Sequence, residues 1–290
     1  MQFPDRPWPT GLAENPEPLV RRVLAPNPSA FSYTGTQTYI VGAGAEVSVI
    51  DPGPDEAVHI AALLAAVGDA RVSAIICTHT HRDHSPAAAP LAAATGAPVI
   101  GCAFLSLDDD GPRSDAAFDT TYRPDRVLVD GEQLSGDGWT LTAVATPGHT
   151  SNHLCFALEE SGALFTGDHV MGWSTTVVSP PDGDMTAYMA SLQLLQERKD
   201  KVYYPAHGPA VTNPRQLVRG MIGHRRQREN QILKHLAAGT SLIEQMVPQM
   251  YKGVDPQLWG AAGRSVLAHL IDLEARGKVS RADAVWTIAA

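Results

Sequence analysis

The chain has 290 residues, 44% of them hydrophobic, enough for one large domain or a large and a small one. No apolar run approaches the roughly 20 residues that cross a bilayer, the N-terminus has no basic start followed by an apolar stretch, and Cys77, Cys102 and Cys155 include no CxxC pair, so a cytoplasmic, membrane-free protein with reduced, buried thiols is expected. Net charge is −9 but split: residues 1–213 carry 11 Lys/Arg against 25 Asp/Glu, net −14, and residues 214–290 carry 11 against 6, net +5, which reads either as a basic appendage that steers an anionic ligand or as a solvated helix face.

In chain order, 38–42 and 46–50 predict strands on either side of a Gly-Ala-Gly turn. Residues 56–67 are apolar at 3–4 spacing and predict a helix. A short β-rich run at 74–78 ends at a histidine cluster. Residues 85–95 are Ala-rich and helical, with Ser85 as N-cap and Pro86 at the first helical position. A strand at 98–101 and an exposed loop at 106–124 follow. Residues 127–129, 140–145, 153–158 and 163–166 read as strands, 186–198 as an amphipathic helix and 202–205 as a last strand. After Asn213-Pro214 the pattern turns helical, at 215–237, 241–251 and 256–276, and two short strands around 278–279 and 285–288 close it. Three helices and a terminal hairpin outline a winged helix. The division expected is 1–213, sheets flanked by helices, and 214–290, the small domain.

The run "CTHTHRDHS" places His79, His81, Asp83 and His84 within six residues. His79 ends a predicted strand, and His81, two residues on, can project the same way toward one cation. Asp83 and His84 continue into the following loop, toward a second. Imidazoles gathered without a cation lose solvation with little return, so a purely structural cluster is a poor explanation. His149 in "TPGHTSNH", Asp168 in "FTGDHV" and His207 in "YYPAHGP" each follow a β-run, as His79 does, and are the candidates for the remaining ligands. His59, His224, His235 and His269 sit in predicted helices, where packing or surface roles fit them. His153 and His169 adjoin candidate ligands, and strand alternation can turn them away.

"HTHRDH", "PGHT", "GDH" and "AHGP", in this order, resemble the motif series of the metallo-β-lactamase fold hydrolases, and Asp51 of "VIDPGP" matches that family's first motif. The resemblance implies an αββα sandwich of the α/β class. It implies that His79, His81 and His149 hold one metal, that Asp83, His84 and His207 hold another, that Asp168 bridges them, and that Asp51 orients a ligand or its loop. Two cations about 3.5–4 Å apart polarise a substrate oxygen and lower the pKa of a water to about 7. Asp83 and Asp168 are the carboxylates placed at that chemistry, Asp83 as proton acceptor. The ligand set suits two Zn2+ ions, with Fe or Mn as alternatives. Asp168, where lactamases of this fold often carry Cys, argues against β-lactamase activity.

The segments "GHRRQRENQILKHL", "LIEQMVPQMYKGVDPQLWGAAGRSVLAHLIDLEARGKV" and "TGDHVMGWSTTVVSPPDGDMTAYMASL" are similar to the lactamase-β-2-like subgroup, which carries a C-terminal winged helix and whose eukaryotic mitochondrial member is a single-strand-selective endoribonuclease. Gln37 stands where that pattern leads to Asn. The resemblance implies phosphodiester hydrolysis of single-stranded RNA by a metal-activated hydroxide, with a glyoxalase II-like hydrolase of thioesters, lactones or other small acyl esters as the alternative. Candidate substrate contacts are Ser174, Thr175 and Thr176 just after Asp168, His153, and Arg225 and Arg226, the last two within a predicted basic helix that also carries Arg215, Arg219, Arg228 and Lys234. Arg264, His269 and Arg276 are a thin set for reading base edges, so a domain that covers the cleft is expected rather than a sequence-specific DNA-binding one.

Overall fold

A computed structural model of the chain describes residues 8–105 and 118–289. Seven strands pair in chain order: β1 (Ala13–Glu17), β2 (Val20–Leu24), β3 (Gln37–Val41), β4 (Glu46–Ile50), β5 (Arg71–Cys77), β6 (Val99–Gly101) and β7 (Arg126–Val127). Helices α1 (Ala57–Val67) and α2 (Ala88–Thr95) cover this sheet's outer face. A second sheet holds β8 (Gln133–Gly136), β9 (Trp139–Ala145), β10 (Leu154–Leu158), β11 (Ala163–Gly167) and β12 (Val202–Pro205), in the order β12-β11-β10-β9-β8. Its outer face is covered by α3 (Met185–Glu197) and the first half of α4 (Pro214–Ala237). The two sheets face each other, so the layers run helix, sheet, sheet, helix.

Strand alternation sorts the side chains between layers. Ala74 and Ile76 of β5 enter the core between the sheets, while Ile75 and Cys77 face α1 and α2. Phe156 and Phe165 likewise face the other sheet, and Cys155 and Leu164 face α3. Both faces are covered, which is why "AIIC" reads as a continuous apolar run. All three cysteines are free and buried. No helix among the described residues is long and apolar enough to cross a membrane.

The C-terminal unit packs α5 (Ile243–Met250), a 3-10 turn at Pro256–Leu258, α6 (Trp259–Ala275) and the hairpin β13 (Val279–Ala282)–β14 (Val285–Ile288) around a separate core. Helix α4 serves both bodies: Val218, Met221 and Ile222 belong to the core under the second sheet, and Ile232 and Leu236 to the C-terminal core.

Several elements depart from expectation. Strands β1 and β2 are absent from the sequence reading because Pro16, Pro18 and the charges of Glu14, Glu17, Arg21 and Arg22 mask them. β1 is the sheet's edge strand, where proline is tolerated, and β2 pairs between it and β3. Helix α2 begins at Ala88, three residues later than Ser85 suggests, because the Ser85 hydroxyl donates to Asp119 Oδ2 (2.9 Å) instead of capping. The expected exposed loop at 106–124 lies outside the described residues up to 117. Beyond them Asp119 and Tyr122 are buried. The single helix expected at 256–276 is a 3-10 turn leading into α6, with Asp255 Oδ1 accepting from the Gln257 amide (2.9 Å).

Glu229 of α4 accepts from Arg276 Nη2 (2.7 Å) at the end of α6 and from Lys278 Nζ (3.1 Å) beside β13, clamping the small core's edges to α4. Burial raises its pKa, but hydrogen bonds from Arg276 and Lys278 outweigh that and hold it below the ordinary 4.5. A depressed carboxyl stabilises fully above its unfolded pKa and loses that contribution as pH falls through the lower folded value. Glu229→Gln is expected to lower stability at pH 7 by about 0.5–1 kcal/mol, the range for partly exposed pairs. The deficit should shrink as pH falls below 4.5 in chemical denaturation, and a deficit that does not change with pH would show that the clamp is not ionic.

Candidate metal centre

Chain direction brings the candidate ligands to one edge. Strands β4, β5, β11 and β12 run with parallel partners, and β9 lies two antiparallel steps from β11. Their C-terminal ends therefore share an edge. Asp51 follows β4, the 78–84 segment follows β5, His149 follows β9, Asp168 follows β11 and His207 follows β12. Two glycines make the approach possible. Gly148 has φ 137°, and a Cβ there would lie 2.3 Å from the Tyr188 backbone. Gly167 has φ 49°, and a Cβ would lie 2.7 Å from Thr78 Oγ1. Larger residues at either place would displace the ligand that follows.

Donor atoms of His79, His81, His149 and Asp168 lie within 4.8 Å of one another, as do those of Asp83, His84 and His207. His81 Nδ1 is 3.0 Å from His79 Nε2 and 3.1 Å from His149 Nε2. Asp168 reaches both groups: Oδ1 is 3.2 Å from His207 Nε2, and Oδ2 is 3.6 Å from His84 Nε2 and 3.7 Å from His149 Nε2. Asp83 Oδ2 lies 3.1 Å from His207 Nε2.

The outer hydrogen bonds dictate which nitrogens carry lone pairs inward. His149 Nδ1–H donates to the Val177 carbonyl (2.7 Å) and His207 Nδ1–H to that of Gly35 (3.2 Å). A carbonyl only accepts, so each Nε2 is left as a donor to a cation. Asp51, 2% exposed, does the same for the central segment. Its carboxylate accepts from the Thr78 amide (2.8 Å), the Thr78 hydroxyl (2.8 Å) and His84 Nδ1–H (3.0 Å). With its proton given to Asp51, Thr78 Oγ1 accepts from His79 Nδ1–H (3.0 Å), freeing His79 Nε2. Asp51 itself sits at φ 49°, a costly conformation for a non-glycine residue.

The electrostatics divide the site. Burial, then the neighbouring imidazoles, push His79 well below its ordinary pKa, and burial and His149 push His81 to about 3. Burial also opposes charge on His84 and His207. For them the carboxylates win, holding His84 well above the ordinary value and His207 at about 10, and a cation would displace the inward proton from each Nε2. Burial works against the charge on Asp83 and Asp168, yet the facing histidines keep both well below the usual carboxylate range. One group therefore gathers three imidazoles with Asp168, and the other is a mixed histidine–carboxylate set of Asp83, His84 and His207. His84 Nε2 and Asp168 Oδ1 are buried without a hydrogen-bond partner. Converging lone pairs and orphaned buried donors fit metal cations.

A cavity of about 370 Å³ opens from this cluster. His81, Asp83, His149, Asp168 and His207 form part of its wall, with Phe31, Phe118, Met171 and Trp173 beside them, and α4, Tyr251, Val254 and Leu258 of the C-terminal unit complete it. Ser174, Thr175, Thr176 and Arg225 line it as well. Thr176 is turned inward, its hydroxyl donating to the Asp168 carbonyl (2.7 Å).

Two expected contacts are corrected. His153 does not line the cavity. Its Nδ1 meets Thr146 Oγ1 (2.9 Å) and its Nε2 accepts from the Asp168 amide (3.2 Å), so it supports the ligand loop from behind. Arg226 is exposed on α4, because adjacent helical residues point about 100° apart. Arg228, one turn from Arg225, takes its place on the cavity wall. That 3-residue spacing was readable in the sequence. His169 turns into the core against Tyr188, ring centroids 4.8 Å apart. Gln37 has a role the sequence did not suggest: its Nε2 donates to the carbonyls of Pro205 (3.1 Å) and Gly208 (2.6 Å), tying β3 to the His207 loop.

The chain belongs to the metallo-beta-lactamase superfamily, whose model matches residues 33–207, and a beta-lactamase associated winged helix domain matches residues 243–286. It is 38% identical over 221 residues to an atrochrysone carboxyl ACP thioesterase of Aspergillus fumigatus, covering 74% of this chain and 64% of that one. A beta-lactamase-like protein 2 homolog of Drosophila melanogaster is 31% identical, with 90% and 89% covered. In fold the chain is similar to a beta-lactamase domain protein from Burkholderia ambifaria, with TM-score 0.80 at 20% identity over 99% and 97% of the two chains. The chain thus spans less than two thirds of the thioesterase's length.

Asp51→Asn keeps the side chain's shape but presents an amide that cannot accept from both Thr78 and His84. Metal affinity is expected to fall roughly 10–100-fold, measured by competition with a chromophoric chelator, with the fold intact by circular dichroism. Unchanged affinity would show that ligand orientation does not depend on this carboxylate. Stripping the metals with a chelator is expected to lower the thermal midpoint by roughly 10 °C, as removal of a tightly bound native-state ligand does.

Proposed function

We propose that this superfamily hydrolase cleaves acyl thioesters, using two cations held by His79, His81, His149, Asp168, Asp83, His84 and His207. The observation that carries this reading is the cavity. About 370 Å³, walled by Phe31, Phe118, Met171 and Trp173, suits one acyl or aromatic group with its water excluded. The name of the Aspergillus fumigatus relative supports it. The arrangement of α4 weighs in the same direction. Arg215, Arg219, Arg226 and Lys234 are exposed and off the cavity wall. The basic helix therefore offers little to a polynucleotide entering the cleft, and thioesters come before single-stranded RNA.

Bound cations supply a Lewis acid for the thioester carbonyl and an activated water. The chain's own groups do the rest. Asp83 lies on the cavity side with its side chain 32% exposed, and His84 and His207 outweigh burial to keep it ionised. It is the carboxylate placed to take a proton, at Oδ2, with Thr36 Oγ1 3.4 Å away to donate to it. Asp168 is nearly enclosed and holds the two ligand groups together. Zinc fits this donor set, as do iron and manganese.

Metal-loaded protein is expected to release free thiol from acyl-N-acetylcysteamine or acyl-coenzyme A substrates. Asp83→Asn should lower kcat by roughly 10²–10⁴-fold, the weight of a lost general base. Absence of thioester turnover, together with cleavage of labelled single-stranded RNA that Asp168→Ala abolishes, would overturn the proposal in favour of RNA.

A further inference from the structure

The chain pairs its arginines with carboxylates at many places. Arg22 meets Glu14, Arg71 meets Glu46, Arg126 meets Glu132, Arg198 meets Asp200, and Arg276 meets Glu229 and Asp272. The two arginines on the cavity wall are different. Arg225, 4% exposed, donates through Nη2 to the Thr176 carbonyl and stands 5.1 Å over the Tyr188 ring. Arg228 donates through Nη1 to the Met250 carbonyl (2.7 Å) and to Gln231 Oε1 (2.9 Å), 4.3 Å over the Tyr251 ring. All of these partners are neutral. The Nε of each arginine is buried without a hydrogen-bond partner, as is His224 Nδ1 beside them. Among the described residues no carboxylate pairs with either guanidinium.

Arg225 is withdrawn from water and Arg228 is half-buried, and such cations with no counter-charge are costly. The carboxylates that share the cavity, Asp83 and Asp168, are engaged with His84 and His207. Glu229, next to Arg228 in sequence, is engaged with Arg276 and Lys278. His224 and His269 add no balancing charge, since burial, then the nearby arginines, push them down to about 4 and about 3. A guanidinium fork matches the two oxygens of a carboxylate or phosphate. Arg225 and Arg228, three residues apart on α4, both line the cavity that the metal cluster opens into.

We propose that Arg225 and Arg228 form an oxyanion subsite on the α4 wall of the cavity, and that the substrate is a thioester bearing a negatively charged oxygen group at that position. The identity as a thioester rests on the function proposed above, but the subsite does not. The charge has two chemical sources: a carboxylate on the acyl part, or the phosphate of a phosphopantetheine thiol part. The C-terminal unit then does more than cover the cleft, because its connecting helix selects the substrate.

The test compares matched substrates on the metal-loaded full chain. Glutaryl- and pentanoyl-N-acetylcysteamine differ in an acyl carboxylate, and pentanoyl-phosphopantetheine adds a phosphate on the thiol side. Wild type is expected to favour one charged member over neutral pentanoyl-N-acetylcysteamine by roughly 10–100-fold in kcat/KM, the weight of one or two charge-assisted hydrogen bonds. Arg228→Gln should erase that preference, lowering kcat/KM for the charged substrate by roughly 10–100-fold more than for the neutral one, and Arg228→Lys should restore part of it. Preference for glutaryl identifies the acyl carboxylate, and preference for phosphopantetheine identifies the phosphate. Calorimetric binding of glutarate and of 4′-phosphopantetheine, to wild type and to Arg228→Gln, reads the subsite without turnover. Arg228-dependent binding with no thioester hydrolysed would sink the thioesterase reading and leave the subsite standing. Thioester hydrolysis indifferent to charge in the wild type, with anion binding unaltered by Arg228→Gln, would overturn the subsite and leave the thioesterase. The wild-type comparison needs no variant, so it holds even if a substitution fails to fold.

Discussion

Three hydrogen bonds into one buried carboxylate organise the centre of this molecule. Asp51 accepts from the Thr78 amide, the Thr78 hydroxyl and His84 Nδ1–H, and through Thr78 it sets the ring of His79. The negative charge is tolerated in the interior because every donor it needs is supplied within 3.0 Å. Strand β5 delivers Thr78 and the turn beyond it delivers His84, so a single acceptor orients side chains of both candidate ligand groups. Its left-handed backbone shows that local conformational preference yields to this geometry.

The same logic extends outward. Carbonyls of Val177 and Gly35 fix His149 and His207 as Asp51 fixes the central histidines. Val177 belongs to the segment that includes Thr176, whose hydroxyl donates to the Asp168 carbonyl and whose own carbonyl accepts from Arg225. A chain of contacts therefore runs from α4 through residues 176–177 to two ligands. Because α4 is shared between the core under the second sheet and the C-terminal core, the small unit is mechanically joined to the site whose wall it completes.

Different parts of this arrangement were legible for different reasons. Strand β12 was placed exactly as "VYYP" suggests, and β5, α3 and α4 within a few residues, because their apolar periodicity reflects two-sided or one-sided burial. The hairpin β1–β2 was hidden, since the edge strand β1 needs no apolar alternation and tolerates Pro16, Pro18 falls in the turn, and Arg21 and Arg22 break the apolar run of β2. Ser85 has the chemistry of a cap, but a long-range partner, Asp119, claimed its hydroxyl. Arg225 and Arg226 looked equivalent in sequence, and only helical phase distinguishes the buried one from the solvated one.

The sequence by itself determined the chemistry. The spacing of "HTHRDH" and the strand-following His149, Asp168 and His207 contain the donor types a pair of cations requires, because ligand identity is a property of side chains. Only the packed fold settles which nitrogen of each imidazole faces inward and that His153 stands behind the site. Several of those outcomes depend on distant partners, such as Asp168 for His153, 15 residues away, and Gly35 for His207, 172 residues away. Such contacts exist only once the strand ends share an edge, and no local pattern records them.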